Sequence, residues 1–166
     1  MKQKHLWLAG VFLVTVLGPL PALAEKTFTP PATAPVPASE LKAIYGDRTW
    51  LWSAGGGRFD TGDNRFSAYT REGGKPSVGQ GRWVVDDNGK LCILAKWYAS
   101  NSNARAATCF GHVRIGDTIF QRRHPFGHWY VFRHAPERKG DESAKIVSAD
   151  TVASHIRKWQ ASTSGN

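Results

Sequence analysis

The chain has 166 residues and a mass of 18.3 kDa, which suits one ordinary domain and is too small for two well-cored ones. Hydrophobic residues make up 41% of the sequence and charged residues 21%, which argues against a disordered, collagen-like or membrane-embedded chain. The formal net charge of +9 points to anionic partners such as nucleic acid, lipid headgroups or polysaccharide, without choosing among them.

The N-terminal segment predicts export. Two lysines precede a largely apolar run over residues 6–17, prolines follow it, and Ala22-Leu23-Ala24 has the small-residue pattern of a cleavage site. A membrane anchor is disfavoured because the prolines interrupt the run before the roughly 20 apolar residues that a bilayer requires. We therefore expect residues 1–24 to be a signal peptide, the mature protein to be periplasmic or secreted, and no transmembrane segment to remain.

Export gives the two cysteines a role. Cys92 and Cys109 are an even pair, and disulfides persist in oxidising compartments, so we expect them to form one bridge. A zinc site is the poorer interpretation, because the pair lacks a C-x-x-C spacing and further Cys or His pairs. The cysteines therefore indicate a structural staple.

The first part of the mature chain is low in core-forming residues. Residues 25–38 are rich in proline and small residues, which predicts a stiff linker with no core of its own. The following stretch, residues 39–46, carries apolar Leu41, Ile44 and Tyr45 and ends in glycine. It predicts one or two turns of helix with Ser39 as the N-cap.

From residue 48 onward the pattern changes to short aromatic and β-branched segments separated by turn residues. Clear turn signals stand at 86–89 and 116–117, where Asn, Asp and Gly tolerate left-handed backbone. The predicted strands are 48–53, 57–60, 64–70, 78–85, 90–97, 107–115, 118–123 and 128–134. They predict an up-and-down meander of about eight antiparallel strands.

Alternation within these strands gives the fold class. In 90–97, Leu91, Ile93, Ala95 and Trp97 share one face, and Cys92 shares the other with Leu94 and Lys96. Because both faces are partly apolar, the meander should curl into a small barrel or fold into a sandwich. We expect an all-β, lipocalin-like antiparallel barrel over residues 39–135, in which Cys92 and Cys109 lie on neighbouring strands.

The C-terminal part, residues 136–166, predicts a polar linker followed by a helix. Residues 136–147 carry Pro, Gly and mixed charge, which is typical of a linker. Val152, Ile156 and Trp159 then recur at the spacing of one helix face.

Residues that could support catalysis or bind a metal are few. Asp60-Thr61-Gly62 resembles the aspartic-protease motif, but its neighbours are turn-forming and no second copy exists; oxygen ligands for Ca²⁺ are a further alternative. His112, His128 and His134 could converge on a metal, yet no carboxylate or thiol obviously completes the site. We therefore expect no cofactor and no enzymatic activity.

The segment 120–134 interleaves cations with aromatic rings, which suits stacking on sugars and binding of anions. The alternative is two barrel strands with aromatic residues inside and cations outside. Alternation allows Arg123 and Arg133 to face solvent as a pair on neighbouring strands. The candidate binding residues are Arg122, Arg123, Trp129, Tyr130 and Arg133.

Several motifs resemble a family of small secreted bacterial proteins classified only as a domain of unknown function. They are Tyr45-Gly-x-x-Thr-Trp-Leu-Trp52, Gly89-Lys-Leu-Cys92 and Thr108-Cys-Phe-x-His112, and the resemblance covers about residues 41–134. It implies an envelope or secreted protein with a disulfide and brings no catalytic residues. A looser architectural likeness joins the chain to lipocalin-like barrels and periplasmic inhibitors of proteases or lysozyme.

These observations lead to one expectation and one alternative. We expect a non-enzymatic binding protein of the cell envelope whose partner is an anionic glycan or a protein. Nucleic acid is disfavoured because the chain is exported. The alternative is an inhibitor of a secreted hydrolase, which would insert a protruding loop or terminus into an enzyme cleft. Nothing in the sequence fixes the oligomeric state.

Overall fold

The computed structural model of the protein describes residues 33–163, so the predicted signal peptide lies outside the described residues. The described residues form two helices, α1 (Ala38–Tyr45) and α2 (Ala153–Thr163), and two 3₁₀ segments, Glu72–Gly74 and Glu142–Lys145. The strands are β1 (Thr33–Pro35), β2 (Arg48–Trp52), β3 (Gly55–Phe59), β4 (Arg65–Thr70), β5 (Ser77–Val85), β6 (Lys90–Ala99), β7 (Ser102–Ile115), β8 (Thr118–His124), β9 (Tyr130–Arg133) and β10 (Ile146–Val147).

The strands form one antiparallel sheet in which β2 to β9 are neighbours in the same order as in the chain. β10 pairs with β2 at one edge, and β1 pairs with the end of β7. The predicted hairpin turns at 86–89 and 116–117 join β5 to β6 and β7 to β8. The sheet curls into a half-barrel, which confirms the all-β meander.

Alternate residues of each strand line the concave, inner face. In β6 the predicted set of Leu91, Ile93, Ala95 and Trp97 is the inward one and packs in the core. The rings of Trp50 in β2 and Phe110 in β7 meet edge-on, with their centres 4.9 Å apart. This contact joins strands that are five positions apart in the sheet order, so the curled sheet encloses its own core.

Helix α1 is attached to the sheet through its buried residues Leu41, Ile44 and Tyr45. The helix begins after Pro37, and the N–H of Ala38 donates to Asp87 Oδ1 at 3.0 Å. The prediction that Ser39 caps the helix is therefore wrong. Proline suits a helix start because it has no backbone N–H that would lack an acceptor there. The side-chain acceptor that Ser39 was expected to provide comes instead from Asp87, which is distant in the sequence.

The interpretation of residues 25–38 as a linker without a core fails where the structure describes it. Strand β1 pairs with Val113–Ile115 of β7, and Val36 is fully buried, with its N–H on the carbonyl of His112 at 3.2 Å. Proline tolerates this position because an edge strand can leave one side unpaired. Residues 27–38 carry no charge, which suggested a spacer, but an uncharged segment can also be buried in a core.

Residues 136–147 are also more ordered than the predicted linker. The 3₁₀ segment Glu142–Lys145 leads into β10, where Ile146 lies opposite Trp50 and is buried. The indole N–H of Trp50 donates to Glu142 Oε1 at 3.1 Å. Two apolar residues are enough to form an edge strand, but they are too few to show a period in the sequence.

Helix α2 packs on the outer face of the sheet. Val152 and Ile156 form a small second core with Val78, and Trp159 packs against it. The predicted helix face is thereby confirmed. Neither α1, with eight residues, nor α2, with eleven, is long and apolar enough to cross a membrane.

The predicted disulfide is present. Cys92 and Cys109 lie directly opposite each other in β6 and β7, with their Cα atoms 4.1 Å apart and their sulfurs bonded. They face outward, as the alternation of β6 requires. The bridge therefore ties together the two longest strands from outside the core.

Candidate ligand-binding cavity

The concave face of the half-barrel holds a cavity of about 430 Å³. Its walls are mainly aromatic and aliphatic, with two threonines, one acidic and one basic residue. The lining residues are Trp50, Trp52, Phe59, Phe66, Thr70, Glu72, Ile93, Trp97, Ala106, Thr108, Phe110 and Arg123. A cavity of this size and composition is typical of a small-molecule site.

Glycines in the sheet make room for the large rings. A Cβ atom on Gly57 would lie 2.5 Å from two ring atoms of Phe66, and one on Gly79 would lie 3.1 Å from the indole of Trp97. Both glycines belong to inward-facing positions of their strands, beneath the rings. The sheet can therefore carry several large aromatic residues on one face without filling the cavity.

The cavity lies between two unpaired strand edges. β10 covers only Thr49 and Trp50 of β2, and β8 reaches no further along β7 than Cys109. Residues 102–108 of β7 therefore have a neighbour only on the β6 side. Trp52, which is 37% exposed, belongs to the first edge, and Ala106 and Thr108 belong to the second. A ligand could enter through this gap.

The cavity has few polar side chains, and they differ in whether the protein already provides a partner. The hydroxyl of Thr70 donates to the carbonyl of Ala54 and accepts the indole N–H of Trp52, each at 3.3 Å. Arg123 is exposed at the rim, and no carboxylate among residues 33–163 lies within ion-pair distance of it. The lining residues include no Ser, Cys or His that could act as a nucleophile or base.

A separate polar cluster surrounds the buried His112. The hydroxyl of Tyr45 donates to His112 Nε2 at 2.9 Å, and Gln121 Nε2 lies 2.7 Å from both groups. Tyr130 donates to the other end of Gln121, and His112 Nδ1 donates to the carbonyl of Gly89 at 3.1 Å. Tyr45, His112 and Gln121 are buried, Tyr130 reaches the surface, and each group has a partner, which is the arrangement of a structural network.

Burial sets the protonation of this cluster. Loss of solvent lowers the pKa of His112 to about 4, opposed by the hydrogen bond to Gly89. Burial also raises the pKa of Tyr45 well above its usual value and that of Tyr130 to about 12, with neighbouring negative charge adding to both. At neutral pH the imidazole and both phenols are therefore uncharged.

The structure separates the predicted binding residues of segment 120–134. Arg122 lies over the ring of Trp129, 4.7 Å from its centre, whereas Arg123 lines the cavity. The hydroxyl of Tyr130 donates to Gln121 of the polar cluster, and Arg133 binds Glu40 at 2.8 Å. The expectation that Arg123 and Arg133 form a solvent-facing pair is wrong, because Glu40 of α1 binds Arg133.

The three histidines that were considered as metal ligands lie apart from one another. His112 is buried with Tyr45, His134 pairs with Asp141 at 2.7 Å, and His128 lies exposed in the loop before β9. In the described part of the chain, no three His, Cys, Asp or Glu side chains come together as a metal site. Asp141 also accepts backbone N–H groups from Arg138 and His134, and these bonds lower its pKa to about 2.

The Asp60-Thr61-Gly62 segment forms a turn between β3 and β4. Asp60 forms ion pairs with Arg58 at 3.4 Å and Arg65 at 3.1 Å, and Thr61 donates to Asp47. Its carboxylate is thus committed to two arginines, which favours the turn interpretation over the protease one.

The cavity itself was missed by the sequence reasoning. Its rings come from β2, β3, β4, β6 and β7, and no short motif unites them. The alternating Trp50-Leu51-Trp52 and the inward set ending in Trp97 were the available signals. They marked an aromatic face, but the curl that turns this face into a cavity depends on pairing across the whole sheet.

The fold and the cavity together define a curled β-sheet protein with a concave aromatic face. A family model described as "Protein of unknown function (DUF995)" matches residues 13–152. The chain therefore belongs to this family, which confirms the resemblance to a family of unknown function and extends it beyond residues 41–134. No curated protein and no solved structure matches the chain.

Proposed function

We propose that the protein is a non-enzymatic binding protein of the bacterial cell envelope, periplasmic or secreted, and that the aromatic cavity is its ligand site. One observation carries the proposal: a cavity of about 430 Å³ in which half of the lining residues are aromatic and which opens between two unpaired strand edges. The signal-like N-terminus and the disulfide support the location, because disulfides persist outside the cytoplasm.

The lining favours a ligand with an apolar body and one acidic group. The walls contribute six aromatic side chains, whereas the polar contacts come only from Thr70, Thr108, Glu72 and Arg123. A glycan buried here would leave many hydroxyls without partners, which is costly, whereas an acyl or aryl body would not. The lining has one charge of each sign, Glu72 and Arg123, and Arg123 is the group that can bind an anion, so a fatty or aromatic carboxylic acid fits better than a sugar acid.

The proposal is tested by filling the cavity. Ala106 faces into it, and the adjacent Ala107 faces outward, so Ala106→Phe and Ala107→Phe are a matched pair on one strand. We expect decanoate to quench tryptophan fluorescence in the wild type and in Ala107→Phe, and Ala106→Phe to weaken binding at least about tenfold. Equal binding by Ala106→Phe and the wild type would refute the site.

The acidic preference is tested at Arg123. Arg123→Gln removes the cation at the cavity, and Arg122→Gln removes a cation from the opposite face of the same strand. Because charge-assisted contacts are worth about 1.5–3 kcal/mol, Arg123→Gln should weaken decanoate binding by about tenfold or more and leave decanol binding unchanged. If a uronic-acid oligosaccharide binds and decanoate does not, the ligand class is a glycan.

The alternative function, inhibition of a secreted hydrolase, has one supporting observation. The β6–β7 hairpin is the longest in the described chain, and its tip at Ser100 and Asn101 is exposed. A protruding tip of this kind could enter an enzyme cleft. Loss of lysozyme or protease inhibition on replacing the tip with Gly-Gly, with decanoate binding unchanged, would favour this function.

A further inference from the structure

The outward-facing residues of β5, β6 and β7 form a regular surface on the opposite side of the sheet from the cavity. Pairing places Arg82, Leu94 and Ala107 in one row and Lys96 and Arg105 in the next, with Val84 beyond the first row. We call this set the outer cationic face; its members are Arg82, Val84, Leu94, Lys96, Arg105 and Ala107. Helix α2 packs further along the sheet, at Val78.

The positive charge of this face is not neutralised. Among residues 33–163, no carboxylate lies within ion-pair distance of its three basic side chains. Arg65 of the neighbouring strand lies opposite Arg82, but it is bound to Asp60 and Asp63. The ammonium of Lys96 lies 5.1 Å from the centre of the Tyr98 ring. The three charges are therefore available to an anionic partner.

The same face exposes aliphatic side chains between its cations. Val84 is 49% exposed and Leu94 is 45% exposed, although both belong to well-paired strands. Leu94 and Ala107 line a shallow depression of about 450 Å³ together with the three basic residues. Apolar residues surrounded by free cations are typical of protein surfaces that bind the interface of an anionic bilayer.

We propose that the outer cationic face docks the protein on an anionic lipid bilayer. The basic side chains bind phosphate groups, and Leu94 and Val84 enter the headgroup layer between them. A soluble polyanion would use the same cations but would gain nothing from exposed leucine, so the aliphatic centre favours the lipid surface. This proposal is independent of the cavity, because alternation puts the two sets of side chains on opposite faces of the sheet.

Co-sedimentation with vesicles tests the proposal. The wild type should bind vesicles of phosphatidylglycerol and phosphatidylcholine in equal parts, and it should not bind phosphatidylcholine alone. Each basic residue near an anionic bilayer contributes about fivefold, so Arg82→Gln/Lys96→Gln/Arg105→Gln should bind about 100-fold more weakly. The control, Lys75→Gln/Lys139→Gln/Lys158→Gln, removes three exposed charges elsewhere and should keep most of the binding. Equal loss in both variants would overturn the face as the site.

A second variant separates the lipid surface from other anions. Leu94→Ser leaves every charge in place and removes the aliphatic centre, so it should weaken vesicle binding several-fold without affecting retention on a heparin column. If Leu94→Ser binds vesicles as the wild type does, the partner is a polyanion and the lipid proposal is wrong. An unchanged urea midpoint of unfolding in every variant verifies that the fold is intact, whether or not the cavity binds decanoate.

Discussion

Protonation of His112 should make the stability of this protein depend on pH. The imidazole is 1% exposed, its Nε2 faces the hydroxyl of Tyr45 and the amide of Gln121, and its Nδ1 faces the carbonyl of Gly89. A proton on Nε2 would oppose two groups that already donate toward it. The folded state therefore excludes this proton until the pH is far below the ordinary histidine value.

The size of the effect comes from the difference between the two states. The pKa of His112 is about 4 in the folded protein and 6.5 in an exposed chain. Between these values the unfolded state binds the extra proton, so the free energy of unfolding falls as the pH falls. The contribution of neutral His112 to the free energy of unfolding is complete above pH 6.5. About 3 kcal/mol of this free energy is lost by about pH 4.

The assay is urea unfolding, monitored by tryptophan fluorescence, at about pH 7.5 and about pH 4.5. His112→Asn keeps a donor toward Gly89 and cannot titrate. It should be less stable at the higher pH by about 1–3 kcal/mol, since Tyr45 loses its acceptor. From the higher to the lower pH, His112→Asn should lose about 2–3 kcal/mol less free energy of unfolding than the wild type. The carboxylates titrate in both proteins, so this difference reports the titration of His112.

The control is His128→Asn, which changes an exposed histidine in the loop before β9. It should unfold at the same urea concentration as the wild type at both pH values. If the wild type and His112→Asn lose the same free energy between the two pH values, then His112 is already protonated in the folded core and the reasoning is wrong.

The remaining predictions concern export, the disulfide and the attachment of α1. Intact mass of the exported protein should correspond to a chain beginning at Glu25 with Cys92 bonded to Cys109; retained residues 1–24 or two alkylatable thiols would contradict this. Replacing both cysteines with serine should lower the free energy of unfolding by about 3 kcal/mol, measured in urea. The reason is that the unfolded chain gains the conformational entropy that the disulfide removes. Glu40→Gln should cost about 1–2 kcal/mol in the same assay, since its carboxylate holds two partly buried arginines of β7 and β9, and an unchanged midpoint would show that this triad contributes nothing.

The meander was predictable because its signals are local. Alternation along β6 identified the inward set from Leu91 to Trp97, and the turn residues at 86–89 fixed where β5 reverses into β6. The prediction placed Cys92 and Cys109 on neighbouring strands, and the structure adds that they lie directly opposite each other. A period of two and a tight turn each depend on a few adjacent residues, so a single sequence is enough to detect them.

The errors have a common physical origin, which is pairing between distant parts of the chain. Residues 33–36 and β10 are short and irregular in composition, and they become strands only because β7 and β2 offer free edges to them. Arg133 looked like a solvent-facing cation until Glu40, more than ninety residues earlier in the chain, was placed beside it. Nothing within a local window records such partners.

Alternation along β7 and β8 makes the two binding proposals separable. Neighbouring residues of one strand lie on opposite faces. Ala106 and Arg123 therefore test the cavity. Ala107 tests the outer cationic face, and Arg122 tests the face of β8 opposite the cavity. A substitution that disturbed the strand as a whole would affect both members of each pair. Loss confined to one member therefore identifies the face that binds.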